Sequence, residues 1–227
     1  MALILNIDTA TEIAGIYLSK DGELIASSFN KQQYDHATWV HKAIENLLKQ
    51  NGYNVKDLVA VAVTAGPGSY TGLRVGMATA KGLCYALAIP LITESTLKLM
   101  AAEAIGQYAD IYIIEPEYFC PLIDARRMEV FTALYDRQLK EIIKPCALIL
   151  NENSFEQYHS MGVINFFGSG SDKWENMGGH SKFRFIKLIA SGKQFSILSY
   201  SKFIKQEFTT LAYSEPVYLK EFYIHPK

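Results

Sequence analysis

The sequence predicts an α/β protein of two lobes, the second one reduced, and three observations carry that reading. Val59–Val63 is a short apolar run rich in β-branched residues, followed at once by Gly66-Pro67-Gly68 and then by a long helical stretch. A strand buried on both faces that turns straight into a helix is the building unit of a parallel sheet. The first half reads as β-β-β-α-β-α-β-α, and the second half repeats a shorter, less regular version of it, which suggests a duplicated β-β-β-α-β-α unit. At 227 residues, with 49% hydrophobic and 20% charged side chains, the chain can form one large globular domain or two small ones. The pattern changes after residue 107, which gives an N-terminal lobe 1–107 and a smaller C-terminal lobe 108–227.

Ala2–Thr9 is a strand ending in the polar turn Asp8-Thr9-Ala10-Thr11, and Ile13–Ser19 is the next. Lys20-Asp21-Gly22 is a hairpin turn of the Asp-Gly kind, returning as the strand Glu23–Phe29. Asp35 or Thr38 opens a helix to about Gln50, whose apolar positions Val40, Ala43, Ile44, Leu47 and Leu48 keep helical spacing, and Asn51-Gly52 ends it. After the Val59 strand, Ser69 or Thr71 caps the long helix. Pro90–Glu94 is a short strand, and Ser95 caps a helix from Thr96 to about Gln107. In the second half, Tyr118–Asp124, Met128–Tyr135 and Leu139–Leu150 are strands, with a turn at Arg126-Arg127. Glu152–His159 is a short helix, Val163–Phe167 a strand, Asp172–Met177 a helical turn, Phe183–Leu188 a strand, Ser196–Phe208 a helix and Val217–Leu219 a last strand.

The long helix carries small residues on two sides. Gly72, Gly76, Ala80 and Cys84 form one row; Ala78, Gly82 and Ala86 form another. With about 100° between successive residues, the rows face nearly opposite ways. A helical glycine costs roughly 1 kcal/mol against alanine, and the sequence accepts that cost at both Gly76 and Gly82. One row packs on the helix's own sheet. The other meets a second helix, either of this chain or of a partner.

Net charge is −1, without the basic stripe that a lone RNA-binding protein shows. Cys84, Cys120 and Cys146 are far apart, odd in number and set in apolar contexts, so neither a disulfide framework nor a zinc knuckle is indicated. The N-terminal residues lack a basic region and meet Asp8 early, and no run of about 18 apolar residues occurs. A reduced, cytoplasmic setting follows as the expectation.

Gly66-Pro67-Gly68-Ser69-Tyr70-Thr71-Gly72-Leu73-Arg74-Val75-Gly76, continued by Ala78-Thr79-Ala80-Lys81-Gly82-Leu83, resembles the long glycine-rich signature of the TsaB family, also called YeaZ. Ile7-Asp8-Thr9 is similar to that family's opening motif, Leu122-Ile123-Asp124-Ala125-Arg126-Arg127-Met128-Glu129-Val130 to its second-lobe strand pair, and Glu215-Pro216-Val217-Tyr218-Leu219 to its C-terminal motif. The resemblance implies a two-lobed actin-like ATPase (ribonuclease H-like) fold with a reduced second lobe. It also implies a role as a non-catalytic partner of the related TsaD protein. With TsaE, the two transfer a threonylcarbamoyl group to an adenosine beside the tRNA anticodon. ATP and metal are then expected on TsaD and not in this chain, tRNA is met only through the complex, and a homodimer through the N-lobe helices is possible. The interface expected from the two N-lobe helices comprises Trp39, Ala43, Gly72, Gly76, Ala80 and Gly82.

The residues themselves bear on the rival readings, a metal-dependent glycoprotease-like peptidase or an active ATPase. A nucleotide would use Asp8, Thr9, Gly66, Gly68 and Ser69, but Ala10 stands where the superfamily's phosphate turn has glycine, and Asp124-Ala125-Arg126 lacks it too. Gly66–Gly72 is neither a Walker loop nor a dinucleotide fingerprint. The HxxxH metal pair of TsaD relatives is replaced by His36 and His41, five apart and about 140° around a helix. His159, His180 and His225 lie alone. Ser69 lacks the glycines of a nucleophile elbow, since positions 67 and 71 hold Pro67 and Thr71.

Overall fold

The computed structural model describes residues 1–31, 36–108, 115–177 and 183–220. It opens with an antiparallel meander of β1 (Leu3–Asp8), β2 (Ala14–Lys20) and β3 (Glu23–Asn30). The β2–β3 turn is the expected Asp-Gly hairpin, with Asp21 and Gly22 both at positive φ, 51° and 87°. Helix α1 (His36–Gln50) follows, then β4 (Ala60–Gly66), α2 (Tyr70–Leu87), β5 (Leu91–Ser95) and α3 (Thr96–Tyr108). Asp35, one of the two expected caps of α1, lies outside the described residues.

The first sheet has the order β3-β2-β1-β4-β5, with β4 and β5 parallel to β1. Strand alternation sorts the core into two layers. Leu3, Leu5 and Ile7 of β1 pack with Val40, Ile44 and Leu47 of α1 and with Met77 and Ala80 of α2. Ile4, on the opposite face, packs with Tyr17, Ala60, Ile92 and Phe195. All five apolar positions expected to face the core from α1 are buried.

The second sheet repeats this connectivity. Strands β6 (Glu117–Asp124), β7 (Glu129–Asp136) and β8 (Glu141–Ile149) form a meander, and β9 (Val163–Phe167) and β10 (Phe183–Phe185) run parallel to β6, giving the order β10-β9-β6-β7-β8. Its reduction is visible in the helices. The segment expected as a helix over 152–159 is a single 3-10 turn at Glu156–Tyr158, and α4 (Ser171–Glu175) has five residues. Aromatic side chains fill the resulting space. Phe155 and Phe166 stand 5.0 Å apart, Phe166 and Phe183 5.2 Å, and Phe155 and Trp174 5.6 Å, all tilted edge to face.

The two compact units are Met1–Leu99 with Ala190–Pro216, and Met100–Ile189 with Val217–Lys227. A division at 107/108 therefore misplaces the segment 190–216. Helix α5 (Lys193–Ile204) covers the second face of the first sheet through Phe195, and Thr209 bridges to Leu91 at that sheet's edge. Residues Val217–Leu219 form no strand. Among the described residues, no helix is long and apolar enough to cross a membrane.

Candidate functional site

The turn between β4 and α2 is built against the end of β1. Gly66 has φ +117°, a conformation that favours glycine. Gly68 needs glycine for a different reason from the positive φ that its position in the turn suggests. A Cβ there stands 2.2 Å from the Ala10 carbonyl oxygen, and the adjacent Ser69 N–H donates to that same oxygen at 2.7 Å. Ser69 is the cap of α2, its Oγ accepting from the Gly72 N–H at 3.3 Å. One turn on, a Cβ at Gly72 meets the Thr9 carbonyl oxygen at 2.0 Å, while the Thr9 hydroxyl donates to the Gly72 carbonyl at 2.7 Å.

The residues that a nucleotide would use, Asp8, Thr9, Gly66, Gly68 and Ser69, are thus brought together, but by bonding to one another. The Ser69 amide is taken by Ala10 and the Gly72 amide by Ser69, so these donors are not aimed at open space. Asp8 is buried, its Oδ1 accepting from the Ala10 N–H at 3.1 Å and the Thr64 hydroxyl at 2.9 Å. Burial pushes its carboxyl above the usual range, and those two bonds only partly offset it. A raised carboxyl holds its proton in the folded state where the unfolded chain has lost it. Stability therefore falls as pH rises from the unfolded pKa through the folded one. Asp8→Asn is expected to match or exceed the wild type in melting temperature at pH 7 and to flatten this acid-side dependence. Melting curves from pH 3.5 to 8 check it; a loss of stability at pH 7 overturns it.

The corresponding turn of the second unit, Asp124-Ala125-Arg126, is also closed on itself. Asp124 Oδ1 accepts from the Arg126 N–H at 2.6 Å and from Lys173 Nζ at 2.6 Å. Partial burial raises its carboxyl, and Lys173 together with the Arg126 N–H outweighs this and holds it below the usual range. Glu129, across the same hairpin, is paired with Lys220.

No cluster of three or more His, Cys, Asp or Glu able to hold a metal occurs among the described residues. His41 is exposed on α1, and His180 and His225 lie outside the described residues. Burial pushes the Cys84 thiol to about 11 and that of Cys120 to about 12, so both behave as small core residues.

The two rows of α2 separate cleanly. Gly72, Gly76, Ala80 and Cys84 are buried on the chain's own sheet, where a Cβ at Gly76 meets Thr9 Oγ1 at 2.3 Å. Ala78, Gly82 and Ala86 are exposed, and a Cβ at Gly82 has nothing within 4 Å. Of the expected interface residues, Gly72, Gly76, Ala80 and Ala43 are therefore corrected to core positions, because close approach to β1 and the α1 core occupies them. Trp39 is half-buried against the same core. Gly82 alone lies on the open face. The sequence reading missed its neighbour Tyr85, an aromatic side chain 83% exposed one turn further on. A separate hollow of about 300 Å³ is lined by His41, Ile44 and Leu48 of α1, Leu83 of α2, and Tyr53.

The sequence model of the family described as TsaD, tRNA N6-adenosine threonylcarbamoyltransferase, matches residues 23–220. The chain belongs to this family, in its TsaB branch. A Bacillus subtilis tRNA threonylcarbamoyladenosine biosynthesis protein TsaB is 36% identical over 132 residues, 58% of this chain and 54% of that relative, so this match spans about half the relative's length. The Escherichia coli TsaB is 28% identical over 229 residues, covering 96% of this chain and 94% of that protein. YeaZ from Pseudomonas aeruginosa has the same fold, with a TM-score of 0.79 at 23% identity over 96% of this chain and 100% of that one. In this TsaB-family chain the signature glycines divide between two tasks, Gly68, Gly72 and Gly76 admitting the end of β1 and Gly82 keeping the outer face low.

Proposed function

We propose that this chain is a non-catalytic assembly subunit for tRNA threonylcarbamoyladenosine synthesis, working in the cytoplasm with TsaD and TsaE proteins and meeting tRNA through their complex. The observation that carries the reading is the division of α2. Its N-terminus is filled by the Thr9 and Ala10 carbonyls, while its opposite face offers Ala78, Gly82 and Ala86 beside the exposed Tyr85. A low, small-residue helix face with one exposed aromatic suits close docking of a homologous helix pair. TsaD is the partner proposed for it, and a second copy of this chain uses the same face when TsaD is absent. ATP and metal then belong to TsaD.

The rival is an enzyme, an ATPase or a peptidase working alone. Purification with the cognate TsaD and TsaE, combined with an ATP-turnover assay on the isolated chain, separates the two. The expected result is a stoichiometric complex and no turnover above background by the chain alone. Clear ATP hydrolysis by the isolated chain that disappears in Asp8→Ala overturns the proposal.

A further inference from the structure

The hairpin tip between β6 and β7 carries a feature that the assembly role leaves unused. Arg126 and Arg127 are both left-handed, at φ 71° and 48°. Asn-Gly or Asp-Gly is the usual occupant of such a pair, because side chains branching from a normal Cβ fit it poorly. The two-residue β2–β3 turn of this same chain gives its positive-φ positions to Asp21-Gly22, whereas the longer β6–β7 loop, between the paired Asp124 and Val130, gives them to arginines. Both arginines are exposed, and among the described residues neither guanidinium has a partner. The carboxylates flanking the tip are already neutralised, Asp124 by Lys173 at 2.6 Å and Glu129 by Lys220. Two uncompensated guanidinium charges therefore stand on an exposed hairpin tip, on a chain whose net charge is −1.

We propose that Arg126 and Arg127 are a phosphodiester-contact element that grips the tRNA backbone once the chain is assembled, an inference that rests on the tRNA-modifying role proposed above. A guanidinium presents a planar fork of donors that matches two phosphate oxygens, and two of them on one tip reach neighbouring phosphates of a strand. Two exposed guanidiniums side by side on one hairpin tip suit the successive phosphates of a backbone. Contacts of this kind hold any RNA sequence alike and weaken with salt. The modest charge of the isolated chain fits a contact that adds to a partner's grip and does not replace it.

The test titrates an unmodified tRNA transcript against the complex with TsaD and TsaE, over a series of salt concentrations, for three double variants. Arg126→Ala with Arg127→Ala is expected to lower affinity about tenfold and to reduce the slope of log affinity against log salt by about 1.4–1.8, the loss of two phosphate contacts. Arg126→Asn with Arg127→Gly fits the left-handed turn better, so its melting temperature is expected to rise while RNA affinity falls as in the alanine pair; this separates the contact from a folding defect. Arg126→Lys with Arg127→Lys keeps both charges and is expected to retain the salt slope. Unchanged affinity and slope in the alanine and Asn-Gly pairs overturn the proposal. So does loss of complex assembly by those variants on size exclusion, which assigns the tip to an acidic protein surface. If the wild-type chain fails to assemble with TsaD, the function proposed above falls. The same titration on the isolated chain at low salt then decides the arginines separately. Weaker binding by both charge-removing pairs supports them; equal binding, or no binding by the wild type, overturns them.

Discussion

Gly72→Val is expected to unfold the first unit or to lower its melting temperature by about 6–12 °C, the equivalent of about 3 kcal/mol for a chain of this size. The added Cβ stands 2.0 Å from the Thr9 carbonyl oxygen and 3.2 Å from Ser69 Oγ. Relief by a side-chain rotation is unavailable, because the nearest clashing atom belongs to the backbone of the central strand's end. That backbone is pinned from three directions. The Thr9 hydroxyl donates to the Gly72 carbonyl at 2.7 Å, the Ser69 N–H donates to Ala10 at 2.7 Å, and the Ala10 N–H donates to Asp8 at 3.1 Å. Moving Thr9 away from a valine breaks the first of these and strains the others. Each lost bond to a buried group adds about 1 kcal/mol or more to the overpacking cost. Circular dichroism melting measures the effect. A variant within 2 °C of the wild type shows that the end of β1 yields, and removes the argument that the signature glycines serve β1–α2 packing.

Much of this arrangement was legible in the residues, and the limits of the reading have physical causes. The β4–turn–α2 unit announced itself because a β-branched run, two glycines around a proline and a capping serine all point the same way. The repeated meander was legible from alternation and from Asp21-Gly22. Three things were not. A short aromatic-rich helix such as α5 packs its Phe195 against either sheet equally well, so the pattern could not assign 190–216 to the first unit. Residues Val217–Leu219 look like a strand because they are β-branched, aromatic and apolar, yet propensity without strand pairing makes no strand, and they pair with neither sheet. The third is the facing of α2. Glycine and alanine suit close burial and a low exposed surface alike, so composition could not choose between the rows. The decisive fact is a distance: about 2 Å from Cβ to β1 at Gly72 and Gly76, and open space at Gly82. The closed turn at Asp8 was half legible. Ala10 in place of glycine argued against a phosphate, but only the structure shows the Ala10 carbonyl occupying the Ser69 amide.

Gly82→Leu is expected to do the reverse of Gly72→Val, leaving the fold intact and removing the partner. A Cβ added at Gly82 meets nothing within 4 Å in the isolated chain, and the position is exposed, so a leucine there extends from an open helix face. Replacing a helical glycine by leucine gains roughly 0.8 kcal/mol of helix stability, and the melting temperature should rise by about 2 °C. At a docked interface the same leucine holds the incoming helix away from Ala78 and Ala86, and an overpacked contact loses about 1–3 kcal/mol, which reads as roughly a tenfold to hundredfold drop in affinity for TsaD. Tyr85→Ala probes the same face from the other direction. It removes the aromatic anchor without adding bulk, and a comparable loss is expected if Tyr85 enters a pocket on the partner. Gly76→Leu is the control, since its Cβ meets Thr9 Oγ1 at 2.3 Å and its damage should appear in melting before any partner is added. Melting curves and size-exclusion binding to TsaD, run on all three variants, separate the faces. If Gly82→Leu and Tyr85→Ala both fold and bind as the wild type does, the partner docks elsewhere, and the open row of α2 is an ordinary solvated helix face.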